Sequence, residues 1–208
     1  MSNNLLFCKK ASIVMKLCCG HKGVAMNIAI IYCSQAGHTK RYAEWLAEEF
    51  GVEATPFAQV HTVDIAAMDK VIFCSWYHAA GLTKAAWLQK QLERYPMDKF
   101  VVLGVGATPM PCDEWPESNH EQAFRNKFPE PQYKELIHFY AQGGFEYGKL
   151  GSFDKVAMRI YFHMLEKGKD TAQRDLDAVA QMRKGFDGSK REYLDPLIAY
   201  IRKCEEQA

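Results

Sequence analysis

No stretch of this chain stays apolar for the roughly 20 residues that a membrane-spanning helix needs. There is no surplus of either charge: 26 Lys and Arg stand against 25 Asp and Glu, a formal net charge of +1. No block of basic residues forms a tail. Both absences argue against a nucleic-acid partner held by bulk charge. There is no disulfide framework either. Seven cysteines, an odd number, are scattered at Cys8, Cys18, Cys19, Cys33, Cys74, Cys112 and Cys204. Cys33 and Cys74 lie inside apolar runs, which is the usage of a reducing compartment. The expectation is a cytoplasmic protein with at most peripheral contact to the inner face of a membrane. Internal repeats and low-complexity segments are missing. So are Gly-x-x-x-x-Gly-Lys-Ser/Thr, which excludes a nucleotide triphosphatase loop, and Gly-x-Gly-x-x-Gly, which excludes a dinucleotide fingerprint.

What is present is enough apolar residue (48%) over 208 positions for one domain with a sizeable core. Residues 1–25 differ in character: basic, with an apolar stretch broken by Lys16 and no clear cleavage site. Cys18, Cys19 and His21 do not complete a tetrahedral metal site, and no metal is expected. The segment reads as a poorly ordered extension, with Met26 a candidate original start. From Asn27 on, strands and helices alternate. "NIAIIYC", "DKVIFCSWY" and "KFVVLGVGA" are continuous apolar runs, as for parallel strands covered on both faces. "EATPFAQV" is a weaker strand, and "KELIHFYAQGG" a further one. "TKRYAEWLAEEF", "TKAAWLQKQLERY", "HEQAFRNKF" and "LDPLIAYIRKCEEQA" have helical spacing. This alternation predicts a doubly wound α/β domain over 26–208, with helices on both faces of a five-stranded parallel sheet. An added helical segment lies at about 150–190. Ligands in such folds bind beyond the carboxyl ends of the strands, so the loops after the three strongest strands are the places for chemistry.

The first of those loops is Ser34-Gln35-Ala36-Gly37-His38-Thr39, between a buried strand and a helix. A helix N-terminus offers free N–H groups and a positive dipole end to an anion. Serine and threonine add hydroxyl donors, and Gly37 lets the backbone curl. The blander alternative is a plain turn with Thr39 as N-cap. A third would make Cys33 a phosphatase nucleophile. That chemistry wants an arginine closing the loop, and Thr39 stands there instead. The second loop is Ser75-Trp76-Tyr77-His78-Ala79-Ala80-Gly81, whose aromatics suit a flat ring and whose glycine allows close backbone approach. The third begins Gly106-Ala107-Thr108.

Taken in order, the three loops resemble those of the flavodoxin family. Ser34, Gly37 and Thr39 match its Thr/Ser-x-Thr-Gly-x-Thr phosphate loop, and Ala36 departs where the family has a hydroxyl. The resemblance implies FMN as cofactor. Its phosphate would be held by backbone N–H and hydroxyl donors without lysine or arginine, its ring by residues 75–81, its edge by residues 106–108.

Acidic electron shuttles of that family differ from this nearly neutral chain. "GGFEYGKLGSFDKVAMRIYFHMLEKG" resembles the flavodoxin-type protoporphyrinogen oxidases of bacteria, at Gly148, Phe153, Asp154, Lys155 and Met158. The likeness runs over roughly Met26 to Glu166. It implies an FMN-dependent oxidoreductase that oxidises a tetrapyrrole and sends electrons to a membrane quinone. The alternatives are an electron carrier for a partner reductase and a cofactor-less domain that binds a protein. No residue stands out as a catalytic base. His78 is a candidate proton donor beside the ring. Phe153, Val156, Ala157, Ile160, Tyr161, Met164 and Leu165 form an apolar helical stripe, for which the ordinary expectation is a core-facing helix rather than a membrane or quinone surface.

Overall fold

The computed structural model of the protein describes residues 26–78, 81–113, 118–168 and 171–207. The expected extension at 1–25 and the ring-loop residues Ala79 and Ala80 lie outside them. In chain order the elements are β1 (Ile28–Tyr32), α1 (His38–Phe50), β2 (Ala54–Pro56), β3 (Lys70–His78), β4 (Gly81–Leu82) and α2 (Ala85–Leu92). There follow β5 (Phe100–Gly106), α3 (Ser118–Arg125), α4 (Gln132–Glu135), β6 (Ile137–Gln142) and β7 (Gly144–Phe145). Then come α5 (Ser152–Lys167), α6 (Gln173–Lys184), β8 (Phe186–Asp187) and α7 (Asp195–Gln207).

Five strands run parallel in the order β2-β1-β3-β5-β6. Leaving aside the short β4, which folds back antiparallel on the end of β3, this is the doubly wound order for which flavodoxin is a standing example. The weak strand candidate shrinks to Ala54–Pro56 because a 3-10 helix begins at Phe57.

The apolar runs are continuous because both sheet faces are covered. Ile28, Ile30, Ile72, Leu103 and Val105 pack with Tyr42, Leu46, Leu197 and Ile201, residues of α1 and α7. Their strand neighbours Ile31, Val71, Phe73, Phe100 and Val102 pack with Leu88 and Phe124, residues of α2 and α3. Alternation along each strand sends successive side chains to opposite faces. Each fully covered side chain contributes about 1.5–3 kcal/mol.

The stripe on α5 departs from expectation. Of the helix's apolar residues only Phe162, at the margin where Met158 and Phe162 widen the stripe, is buried. Phe153 is 85% exposed, Met164 67%, Ile160 56% and Val156 55%. The helix belongs to the added segment and packs chiefly on α6, meeting the sheet at its edge where Asp154 pairs with His78, so the stripe stays uncovered. Periodicity reports that a helix has two faces; it does not report which face meets the core.

The added segment is stitched back to the domain at its return limb. β7 and β8 pair antiparallel, and Gly188 N–H donates to the Gly143 carbonyl at 2.8 Å. The fully buried Tyr42 hydroxyl donates to the Gln142 carbonyl at 2.5 Å and accepts from Lys190 N–H at 3.1 Å. Burial pushes that phenol up to about 12, so it stays a donor.

Candidate cofactor site

The loops after β1, β3 and β5 come together at the carboxyl edge of the sheet, with the added segment facing them. Between them is a cavity of about 430 Å³, a size typical of small-molecule sites. Ser34, Gln35, Ala36, His38 and Thr39 line one end. Trp76 and His78 contribute from β3, and Gly106 and Ala107 from β5.

The first loop is shaped by Gly37, which has φ 107° and ψ −18° and is the N-cap of α1. A side chain is strained at that angle. Its N–H donates to Ser34 Oγ at 3.2 Å, fixing the turn. Thr39 is therefore not the N-cap; it is buried one residue inside the helix. No side chain caps α1, and its first turn carries no acid. The N–H groups of His38, Thr39 and Lys40 are beyond reach of any helical carbonyl. Lys149 adds a cation close by, its Nζ 3.3 Å from the Ala36 carbonyl and 2.9 Å from Glu146 Oε2.

His38 is only 7% exposed. Its Nδ1 lies 3.3 Å from Ser189 Oγ and 3.4 Å from Asp187 Oδ1. The residue borders the cavity, and its buried Nε2 has no hydrogen-bond partner among the described residues. Burial works against the Asp187 carboxylate, but hydrogen bonds from Arg41 and Ser189 outweigh it and hold its pKa at about 2.

The two aromatics of the second loop part company. Trp76 faces the cavity, its ring 5.0 Å from that of His78. Tyr77 reaches the wall, but its ring lies over Gly104, where a Cβ would collide with it, and 6.1 Å from Tyr140. Consecutive residues on a strand point to opposite faces, so both could not cover one ring. His78 Nε2 meets Asp154 Oδ1 of α5 at 3.0 Å.

Three other expected residues stand apart from the lining. Ser75 is buried, and its hydroxyl donates to the Thr83 carbonyl at 2.6 Å. Gly81 is buried in β4 against the side chain of Lys127. The Thr108 carbonyl accepts from the Tyr140 hydroxyl at 2.6 Å. Burial raises the Cys33 thiol, partly offset by Lys84, so the thiolate a phosphatase would need is disfavoured.

The far wall comes from the added segment: Glu146, Leu150, Phe153, Ala157, Met158 and Tyr161, with Met182 from α6. Phe153, Ala157 and Tyr161 are four residues apart on one helix arc, a spacing visible in the sequence but assigned there to a core. Nothing local marked Asp187 or Ser189, which meet His38 across about 150 positions.

The chain matches the family model for the flavodoxin domain over residues 29–172, more than half of its length. Among solved structures, the Trp repressor binding protein of Bacillus subtilis is 18% identical at a TM-score of 0.38. The alignment covers 56% of this chain and 85% of that one. A proposed flavoprotein of Bacteroides eggerthii is 13% identical at a TM-score of 0.34, covering 55% and 86%. Overlaps this partial add nothing to the family match. No curated protein sequence matches at a significant level.

Proposed function

The chain belongs to the flavodoxin-domain family, and from that premise we propose that it is an FMN-dependent oxidoreductase. It resembles the flavodoxin-type protoporphyrinogen oxidases; its substrate is a reduced tetrapyrrole and its electron acceptor a quinone. The observation that carries this reading is the far wall. A shuttle needs only an open ring edge for a partner protein. Here α5 adds Phe153, Ala157, Met158 and Tyr161 to the cavity, an apolar wall suited to a flat organic substrate.

The residues present fit a flavin monophosphate. The uncapped start of α1 and the orphaned His38 Nε2 suit the phosphate, and Trp76 suits the ring. A bound flavin supplies the electron acceptor that the side chains lack. The chain's own part is to bind, orient and exclude water. His78, paired with Asp154, can hold a proton at Nε2 at the end of β3, on the cavity lining.

The outer face of α5 seats on an anionic bilayer, the source of a quinone. Val156, Ile160 and Met164 face solvent away from the cavity. Arg159, His163 and Lys167 run beside them at helical spacing, the arrangement of an interfacial helix. Among the described residues no helix is long and apolar enough to cross a membrane.

The direct test is turnover. Purified protein should show flavin bands or quench added FMN fluorescence, and should convert a reduced tetrapyrrole to a fluorescent porphyrin when a quinone is supplied. Flavin without turnover would make it a carrier for a partner reductase. A protein that ignores FMN would leave a protein-binding domain. Trp76→Ala should weaken FMN by about 1–3 kcal/mol; fluorescence titration reads this, and an unchanged affinity would take Trp76 off the ring.

A further inference from the structure

The return limb of the added segment reaches the phosphate end of the cavity and holds one side chain there. His38 opens α1, and the space around its ring is reserved for it. A Cβ on Gly144 would stand 2.5 Å from Cε1 and 2.7 Å from Nε2, and one on Gly143 would stand 3.1 Å from the His38 Cβ. Adjacent glycines on the sheet edge thus make room for an imidazole. On its inner side Nδ1 faces Ser189 and Asp187 of the return limb. Nε2 is buried without a hydrogen-bond partner among the described residues, the nearest carboxylate oxygen being Glu146 Oε1 at 3.9 Å.

A buried polar nitrogen is costly to leave unpaired. With Ser189 Oγ–H donating to Nδ1, the neutral ring carries its hydrogen on Nε2. With Nδ1–H directed at Asp187, a doubly protonated ring carries one there too. Both arrangements put an N–H on Nε2, in a residue that opens α1 and lines the cavity. Arg41 occupies the other oxygen of Asp187, so the carboxylate is held in place from two sides. An unpaired N–H on the first residue of an uncapped helix suits a terminal oxygen of a phosphate monoester.

We propose that His38, positioned by Asp187 and Ser189, recognises the phosphate of the cofactor, so that the added segment helps this chain select FMN over riboflavin. The inference rests on the flavin reading above. It departs from the pattern that resemblance implies, in which backbone amides and hydroxyls alone meet the phosphate. Asp187 and Ser189 are positioning residues; His38 is the contact.

The experiment compares FMN and riboflavin affinities by fluorescence quenching for wild type, His38→Ala and Asp187→Asn. His38→Ala should lower FMN affinity by about 10-fold to 100-fold and riboflavin affinity by less than about threefold. Asp187→Asn, at a half-exposed side chain, should shift the same ratio in the same direction by a smaller factor. Equal losses for both flavins in His38→Ala would make the ring mere packing and overturn the proposal. Inorganic phosphate provides a second readout on flavin-free wild-type protein: it should shift the His38 imidazole NMR resonances. Resonances that stay put at saturating phosphate would overturn the proposal irrespective of flavin binding. Resonances that move, in a protein that binds neither flavin, would support the anion site and sink the flavin reading instead.

Discussion

Gly37→Val should cost the protein at least about 100-fold in FMN affinity while leaving it folded. Nothing lies within 4 Å of a Cβ at this position, so the substitution makes no steric clash with the domain. The penalty is conformational. With φ at 107°, Gly37 occupies backbone space that a β-branched residue enters only under strain of about 1–3 kcal/mol. The loop is exposed and can escape that strain by turning elsewhere. Doing so breaks the bond from Gly37 N–H to Ser34 Oγ and redirects the first-turn amides that a phosphate would need together. Affinity depends on their convergence, whereas stability depends on the sheet, so the two properties should separate. Fluorescence titration gives the first and thermal unfolding the second. Undiminished affinity in a folded variant would refute the phosphate-loop assignment.

The second large effect is expected on α5. Ile160→Asp with Met164→Asp should abolish binding to phosphatidylglycerol vesicles and leave FMN affinity unchanged. Both side chains are more than half exposed, and neither lines the cavity. Neither supports the core, so the fold should be indifferent. Seating each in the headgroup region is worth about 1 kcal/mol or more. Replacing them with carboxylates also sets negative charge against an anionic surface. Together the pair should lower partition by well over about 10-fold. Co-sedimentation with phosphatidylglycerol and with phosphatidylcholine vesicles separates apolar seating from charge attraction. A wild-type protein that binds neither, or a double variant that binds as wild type does, would remove the membrane from the proposal.

Much of this architecture is legible in the sequence. Three continuous apolar runs fit strands covered on both faces, and the helices between them imply parallel pairing. Strand order then places the loops after β1, β3 and β5 at one edge. The strained turn at Gly37 is equally local: a glycine between a strand and a helix advertises its own backbone.

The stripe on α5 marks where this legibility stops. The same spacing describes a helix buried by the sheet and a helix left exposed beside a cavity. What decides between them is which element lies opposite, and for α5 it is α6. Trp76 and Tyr77 were indistinguishable as a pair of aromatics; strand alternation sent one ring to the cavity and the other over Gly104. Ser75 and Gly81, plausible members of a ring loop, turned out to serve the β3–β4 hairpin.

By itself, the amino-acid sequence determined the layered α/β domain, its sheet, and the loop that opens α1, because periodicity and backbone preference act over a few neighbouring residues. Only the tertiary structure decided that the segment after residue 144 walls the cavity, that its apolar helix face meets solvent, and that Asp187 and Ser189 grip His38. The last of these joins residues about 150 positions apart. Which partner each distant surface finds is settled by packing, and packing has no period to read.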